Sequence, residues 1–175
     1  MKNKTGTAVI LIGHGSRVPG SSRDMERVAG RLAEDGAYDA VEACHMSRLG
    51  PFFPETLEKC VKAGARRVIV IPYFLHSGLH LVLDMPEMIQ READRYEGLT
   101  VIYGKHLGYD ESMVALVKQR IEESAKLEDV RALRLEAREN YPLPEGELEF
   151  VAMEPDEAKK FREKKGDDHD HNHHH

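Results

Sequence analysis

Two imidazoles carry the first chemistry legible in this chain of 175 residues. His14 stands between Gly13 and Gly15 at the end of an apolar run, and His80 follows Gly78 by two positions. Neither glycine beside His14 supplies a side chain to pack an imidazole, and both let backbone and a planar ligand come close. Two histidines from separate loops suit a borderline divalent ion: zinc, cobalt, nickel or ferrous iron. They are too few for a closed structural zinc site and leave coordination positions open. An ion held this way can be released, as delivery to another molecule requires. A hydrolytic metal centre would want a carboxylate or a third histidine, and no His-Glu-x-x-His occurs. Gly13-His14-Gly15-Ser16 is not a Gly-x-Ser-x-Gly elbow, because no glycine follows the serine at that spacing. It is not a dinucleotide fingerprint either, since Val18 takes the third glycine position and Pro19 follows.

The 10 histidines fall into two groups, His14, His45, His76, His80 and His106, and then His169, His171, His173, His174 and His175. The elements that position the first group follow from hydrophobic pattern and punctuation. Thr7–Ile12 reads as a buried strand stopped by Gly13. Arg23–Glu34 reads as a helix with Ser21 or Ser22 as cap. Ala40–Met46 is a weaker strand, and Pro54–Ala63 a helix opened by proline and closed by Gly64. Arg67–Phe74 is the clearest strand, apolar on both faces as a central parallel strand is. Asp84–Tyr96 reads as a helix with Pro86 in its first turn, Leu99–Tyr103 as a strand, and Asp110–Leu127 as a long amphipathic helix. Strands and helices alternating over short connections predict an α/β fold, a parallel sheet with helices on both faces. In such sheets ligands bind beyond the carboxyl ends of the strands, where all five histidines of the first group would stand.

Three regions are expected: an α/β domain over 1–127, a charged extension over 128–165 and a His-rich tail over 166–175. Within the extension, Glu128–Asn140 could continue as helix, Leu148–Met153 as a strand or docking segment, and Asp156–Lys165 as a charged helix. The tail is too polar to pack and is expected to be disordered, with its five histidines and interleaved Asp residues offering weak auxiliary metal binding. Counts of 25 Lys+Arg and 31 Asp+Glu give a net charge of −6. That balance argues against a broad nucleic-acid surface. No apolar run approaches the roughly 18 residues of a membrane span, and the apolar run Ala8–Ile12 is too short for a secretory signal core. Cys44 and Cys60 make no disulfide framework. The expectation is a cytoplasmic protein without nucleic-acid or membrane partners.

Ile12-Gly13-His14-Gly15-Ser16-Arg17, Pro72-Tyr73-Phe74-Leu75, Gly78-x-His80 and Asp84-x-Pro86, in this order and spacing, resemble the small class II chelatases. These are the sirohydrochlorin cobaltochelatases and their nickel-inserting relatives, and the resemblance covers roughly residues 7–127. It implies a flavodoxin-like domain, a homodimer, and metal binding and catalysis by His14 and His80, with His45 and His76 as possible further ligands. It also implies Co²⁺ as substrate metal, Ni²⁺ or Fe²⁺ being the alternatives, insertion into sirohydrochlorin or precorrin-2 in cobalamin biosynthesis, and no organic cofactor. A metal carrier without catalysis is the reading from a different class. Longer members carry a glutamate near the end of strand two, whose place Ser47 takes here, so no carboxylate role carries over to that position. Insertion must remove two pyrrole protons while the ion sheds its ligands, and a neutral imidazole, with a reference pKa of about 6.5, can do both. Sirohydrochlorin presents carboxylates, which arginine binds in bidentate fashion. Ser16, Arg17, Ser21, Ser22, Arg23 and Arg48 in the loops after strands one and two, with Ser77 and Gly78 after strand three, are the candidates to bind it.

Overall fold

The computed structural model describes residues 5–143, and the compact unit it forms runs to Pro142. Its parallel sheet joins β1 (Thr7–Gly13), β2 (Ala40–His45), β3 (Arg67–Pro72) and β4 (Thr100–Tyr103) in the order β2-β1-β3-β4. This is the flavodoxin-like order, in which the chain leaves β1 in one direction to form β2 and returns past it to form β3. The crevice between the carboxyl ends of β1 and β3 is therefore the switch point of the sheet.

β1 shows why its residues are apolar throughout. Ala8, Ile10 and Ile12 face one side, where they join Phe53, Leu57 and Cys60 of α2 (Phe53–Lys62) and Met85 and Ile89 of α3 (Met85–Ala93). Val9 and Leu11 face the other side and meet Met25 and Ala29 of α1 (Arg23–Glu34). A strand buried on both faces has no use for alternation. Phe53 and Leu57 are wholly buried, each stabilising the fold by about 1.5–3 kcal/mol. α4 (Glu111–Ser124) is capped by Asp110, whose carboxylate accepts from the Ser112 amide at 2.9 Å, yet it buries none of its residues.

Three local expectations are corrected. Ser22 is the N-cap of α1, but its hydroxyl donates to Glu26 at 2.6 Å and caps no backbone amide. Helical structure before α3 begins at His80, four residues ahead of Asp84, as a π-turn over His80–Asp84 in which the Met85 amide reaches the His80 carbonyl. Pro86 is the physical cause: in a regular helix its ring would press on the carbonyl of Val82 and leave it without a donor, and the wider turn relieves this. Glu128–Asn140 does not continue α4. It carries two short 3₁₀ turns, Val130–Ala132 and Arg138–Asn140, the first capped by the Asp129 carboxylate. The expectations for Leu148–Met153, Asp156–Lys165 and the His-rich tail lie outside the described residues.

Candidate metal centre

The rim of the site is built by two loops that leave neighbouring strands. β1 ends at Gly13, and the next residue, His14, is exposed at the carboxyl edge of the sheet. Gly15 turns the chain with φ 95°, and a Cβ there would lie 2.0 Å from the carbonyl oxygen of Ser47. No other residue fits. The Ser47 amide and hydroxyl both donate to the His14 carbonyl, at 3.3 and 3.2 Å. Ser47 thus holds the His14 loop against the end of β2.

His80 arrives from β3. The Gly78 carbonyl accepts from the amides of Leu81 and Val82, at 2.9 and 3.1 Å, which closes the turn that starts the helical segment. The imidazoles of His14 and His80 meet edge-on with centroids 5.6 Å apart and planes at 67°. A metal–nitrogen bond of about 2.0–2.1 Å puts each ring centre roughly 3.2 Å from a shared ion, so a pair at this separation can bridge one. With its proton on Nδ1, His80 donates to the Asp84 carboxylate at 2.6 Å. Nε2 then keeps its lone pair for an ion, and the carboxylate fixes tautomer and ring orientation as second-layer carboxylates do at metal sites. His14 Nδ1 makes the corresponding contact with the Gly15 carbonyl at 3.3 Å. Asp84 was legible in the sequence only as part of a motif; its use depends on the helical i,i+4 spacing that the π-turn extends back to His80.

The remaining candidates divide. His45 closes β2, is only 7% exposed and lines a cavity of about 200 Å³ together with His14, Ser16, Ser21, Ser22, Asp24 and Tyr73. Its Nδ1 finds no partner among the described residues, and burial pushes its pKa below the ordinary 6.5. His76, Ser77 and Gly78 are exposed on the loop before His80, and His106 is half-buried beside Gly108. The described residues hold no group of three or more His, Cys, Asp or Glu side chains arranged to hold a metal, so His45 and His76 are not gathered with His14 and His80 into one ligand set. Cys44 and Cys60 are unpaired, and burial raises their thiols to about 12 and about 11, which keeps them protonated and unlike metal-binding thiolates. Ser16 accepts from the Val18 amide at 3.1 Å, and Arg48 sits at φ 77° in the loop after β2. Arg17 donates to the Tyr141 carbonyl at 2.5 Å, a contact across 124 positions that nothing in the sequence announced. Leu75, Leu79, Val82 and Leu83 are exposed around His80 and give the rim an apolar face.

A doubly wound sheet whose switch point presents two facing imidazoles, one backed by a carboxylate, defines an α/β metal-handling protein. Comparison with known proteins narrows the class. A sequence model of the CbiX family matches residues 8–124, and the chain belongs to this family of class II chelatases. It is 31% identical over 117 residues to a sirohydrochlorin cobaltochelatase of Priestia megaterium, covering 67% of this chain and 38% of the relative. It is 29% identical over 148 residues to a sirohydrochlorin ferrochelatase of the same organism, covering 83% of this chain and 56% of that relative. The chain thus spans about half or less of the length of these two. A sirohydrochlorin cobaltochelatase of Methanococcus aeolicus, 31% identical over 137 residues, is matched over 96% of its length and 65% of this chain. The sirohydrochlorin chelatase SirB of Bacillus subtilis subspecies spizizenii, solved in complex with cobalt, superposes with a TM-score of 0.63 at 31% identity, over 67% of this chain and 50% of that one.

Proposed function

We propose that this protein inserts a divalent metal into sirohydrochlorin, with Co²⁺ as the substrate metal in cobalamin biosynthesis. The observation that carries the reading is the facing pair His14–His80 with Asp84 behind His80. Two nitrogen ligands leave most of the ion's coordination sphere to water and to the incoming macrocycle. The apolar rim of Leu75, Leu79, Val82 and Leu83 suits one face of a planar tetrapyrrole, while Ser16, Arg17 and Arg48 suit its carboxylates. As the pyrrole nitrogens take over the ion, each imidazole is freed with its lone pair exposed and accepts a pyrrole proton. Asp84 holds the His80 ring in place through this exchange, its carboxylate lying 2.6 Å from Nδ1. Metal release and proton uptake thereby fall to the same two nitrogens, one after the other.

Relatives named for cobalt and for iron lie at similar identity, so metal choice needs measurement. Mixing the protein with sirohydrochlorin and Co²⁺, Ni²⁺ or Fe²⁺ and following the macrocycle's visible spectrum tests the whole reading. Turnover fastest with Co²⁺ is the expected result; fastest turnover with another ion replaces only the metal. Stoichiometric metal binding without acceleration would make the protein a carrier.

A two-fold homodimer is part of this proposal. α4 buries nothing and leaves Leu116, Val117 and Ile121 exposed on one side, an apolar stripe of the kind that a second copy covers. A second copy would also add a wall to a rim that is open on one side. Light scattering of an active sample should give twice the chain mass at micromolar concentration, and an active monomer would remove the dimer. The two buried free thiols support action in the reducing cytoplasm.

A further inference from the structure

The two faces of the sheet are covered unequally. On one, Ile10, Val68 and Val70 are sealed beneath α2 and α3. On the other, Val9 and Leu11 lie beneath Met25 and Ala29 of α1, while Ile69 and Ile71 of β3 and Tyr73 beyond it stay half-buried. Ile102 of β4 pairs with Ile69, shares its face and is half-buried as well. A groove of about 540 Å³ follows α1 on this side, with Val28, Leu32 and Tyr73 as its apolar lining and Asp24, Arg27, Arg31 and Asp35 as its charged one. A parallel sheet is stable with helices across both faces, so this face has room for one more. α4 is the helix without a sheet. It buries none of its residues and joins neither cluster of the core. Met113, Leu116, Val117 and Ile121 recur along it at helical spacing, the last three exposed. Its 14 residues make a rod of about 21 Å and the 6 residues of β3 a strand of about 20 Å, so the helix matches the strand it would cover.

We propose that this face is a docking surface for α4 of a second copy of the chain, the two copies exchanging the helix reciprocally. The inference rests on the homodimer reading above and names the surface that α4 meets. In each copy α4 leaves its own sheet through 104–110, a connection without helix or strand in which Gly108 turns at φ 57°. A reciprocal exchange covers the stripe and the groove at once, in both copies, through a single kind of contact. The charges of the groove fit such an occupant. Arg27 lies 3.9 Å from Asp24 and Arg31 bonds Glu34 at 2.7 Å, so both arginines are engaged within α1 and apolar burial carries the contact. α4 is likewise mixed in charge, with Glu111, Lys118, Arg120 and Glu122 around its stripe. A balanced groove favours a balanced helix over a polyanion or a strongly basic partner.

The test uses the full-length chain. Differently tagged Val28→Cys and Val117→Cys chains are co-expressed, purified through both tags and treated with a short thiol cross-linker. Cys44 and Cys60 are buried and stay out of the reaction. The two chains should be joined to each other, whereas Val117→Cys chains expressed alone should stay single. Val28→Glu and Ile121→Glu, at positions exposed in the single chain, should each raise the dimer dissociation constant by about tenfold or more, with native circular dichroism. Cross-linking of Val117→Cys chains alone, to the yield of the mixed sample, overturns the inference in favour of a helix-to-helix dimer and leaves the homodimer standing. A dimer weakened by Ile121→Glu and unaffected by Val28→Glu overturns it in the same way. A double variant, Val28→Cys with Val117→Cys, that cross-links only within one chain overturns it too, because α4 then fills its own groove. A wild type that stays monomeric removes the homodimer reading and the inference together.

Discussion

His80 and His45 stand at the same edge of one sheet and have opposite chemistry. His80 lies on the rim, its side chain 57% exposed, with Nδ1 held by Asp84. His45 lies in the floor, 7% exposed, with Nδ1 unpartnered among the described residues and a pKa lowered by burial. A carboxylate partner fixes the orientation of the ring that it holds, whereas a desolvated ring resists the charge. The rim histidine is therefore oriented by its partner, while the floor histidine favours its neutral state. His45 is the last residue of β2 and is folded down against its neighbour, its amide donating to the Pro51 carbonyl at 2.9 Å, whereas His80 lies beyond a loop that continues from the end of β3 at Pro72.

The sharpest way to break this comparison is to remove the rim. His14→Ala and His80→Ala should each lower insertion by about 10²-fold or more, with native circular dichroism; near wild-type turnover in either would refute the two-imidazole site. Gly15→Ala should be nearly as damaging by another route. Its φ of 95° and the 2.0 Å approach to the Ser47 carbonyl leave no space for a methyl group, so the loop must shift and stability should fall by about 1–3 kcal/mol. Calorimetric melting of that variant beside its insertion rate would show both effects.

Asp84→Asn keeps a hydrogen-bond partner for His80 but removes the charge behind it. Metal affinity should fall by about 10–100-fold, measured by calorimetric titration with Co²⁺, and an unchanged affinity would mean that Asp84 only shapes the turn. For the floor, the expectation concerns stability. The folded pKa of His45 lies below its ordinary 6.5, so between the two values the unfolded chain binds more protons and stability falls with falling pH. Above the ordinary value His45 makes no pH-dependent contribution. Thermal unfolding of wild type and His45→Gln from pH 7.5 downward should show the variant losing part of that slope. The smallest effects belong to His76→Ala and to removal of residues 167–175. Both should leave the maximal rate at saturating metal within a factor of about two, a change well under 1 kcal/mol. The tail deletion should lower only the amount of Co²⁺ bound per chain, and equal stoichiometry would show that the tail stores no metal.

Fold and site were legible to different depths. The strands were plain because Ala8–Ile12 and Val68–Ile71 are unbroken apolar runs, the pattern of strands covered on both faces, although the third was read through to Phe74 and ends at Pro72. The helix starts at Pro54 and Asp110 were plain because proline and aspartate act locally. The π-turn was not legible. It arises from Pro86 acting on residues before it, in a helix whose extent depends on the packing of Leu81 and Met85, and sequence pattern alone placed the start at Asp84.

By itself the sequence determined that histidines would collect at one edge of a parallel sheet, because strand-end positions follow from strand order and direction. It also placed glycines on both sides of His14, whereas the reason Gly15 tolerates no side chain, its φ of 95° against the Ser47 carbonyl, came only with the structure. Only the tertiary structure decided which imidazoles face each other, that His45 is sunk beneath them, and that Tyr141 closes onto Arg17. These are contacts between segments 66, 31 and 124 positions apart, counted from His14 to His80, from His14 to His45 and from Arg17 to Tyr141. No local propensity encodes such distances; they are set when two layers of helices bury the sheet and leave its carboxyl edge as the one place where loops from different strands must meet.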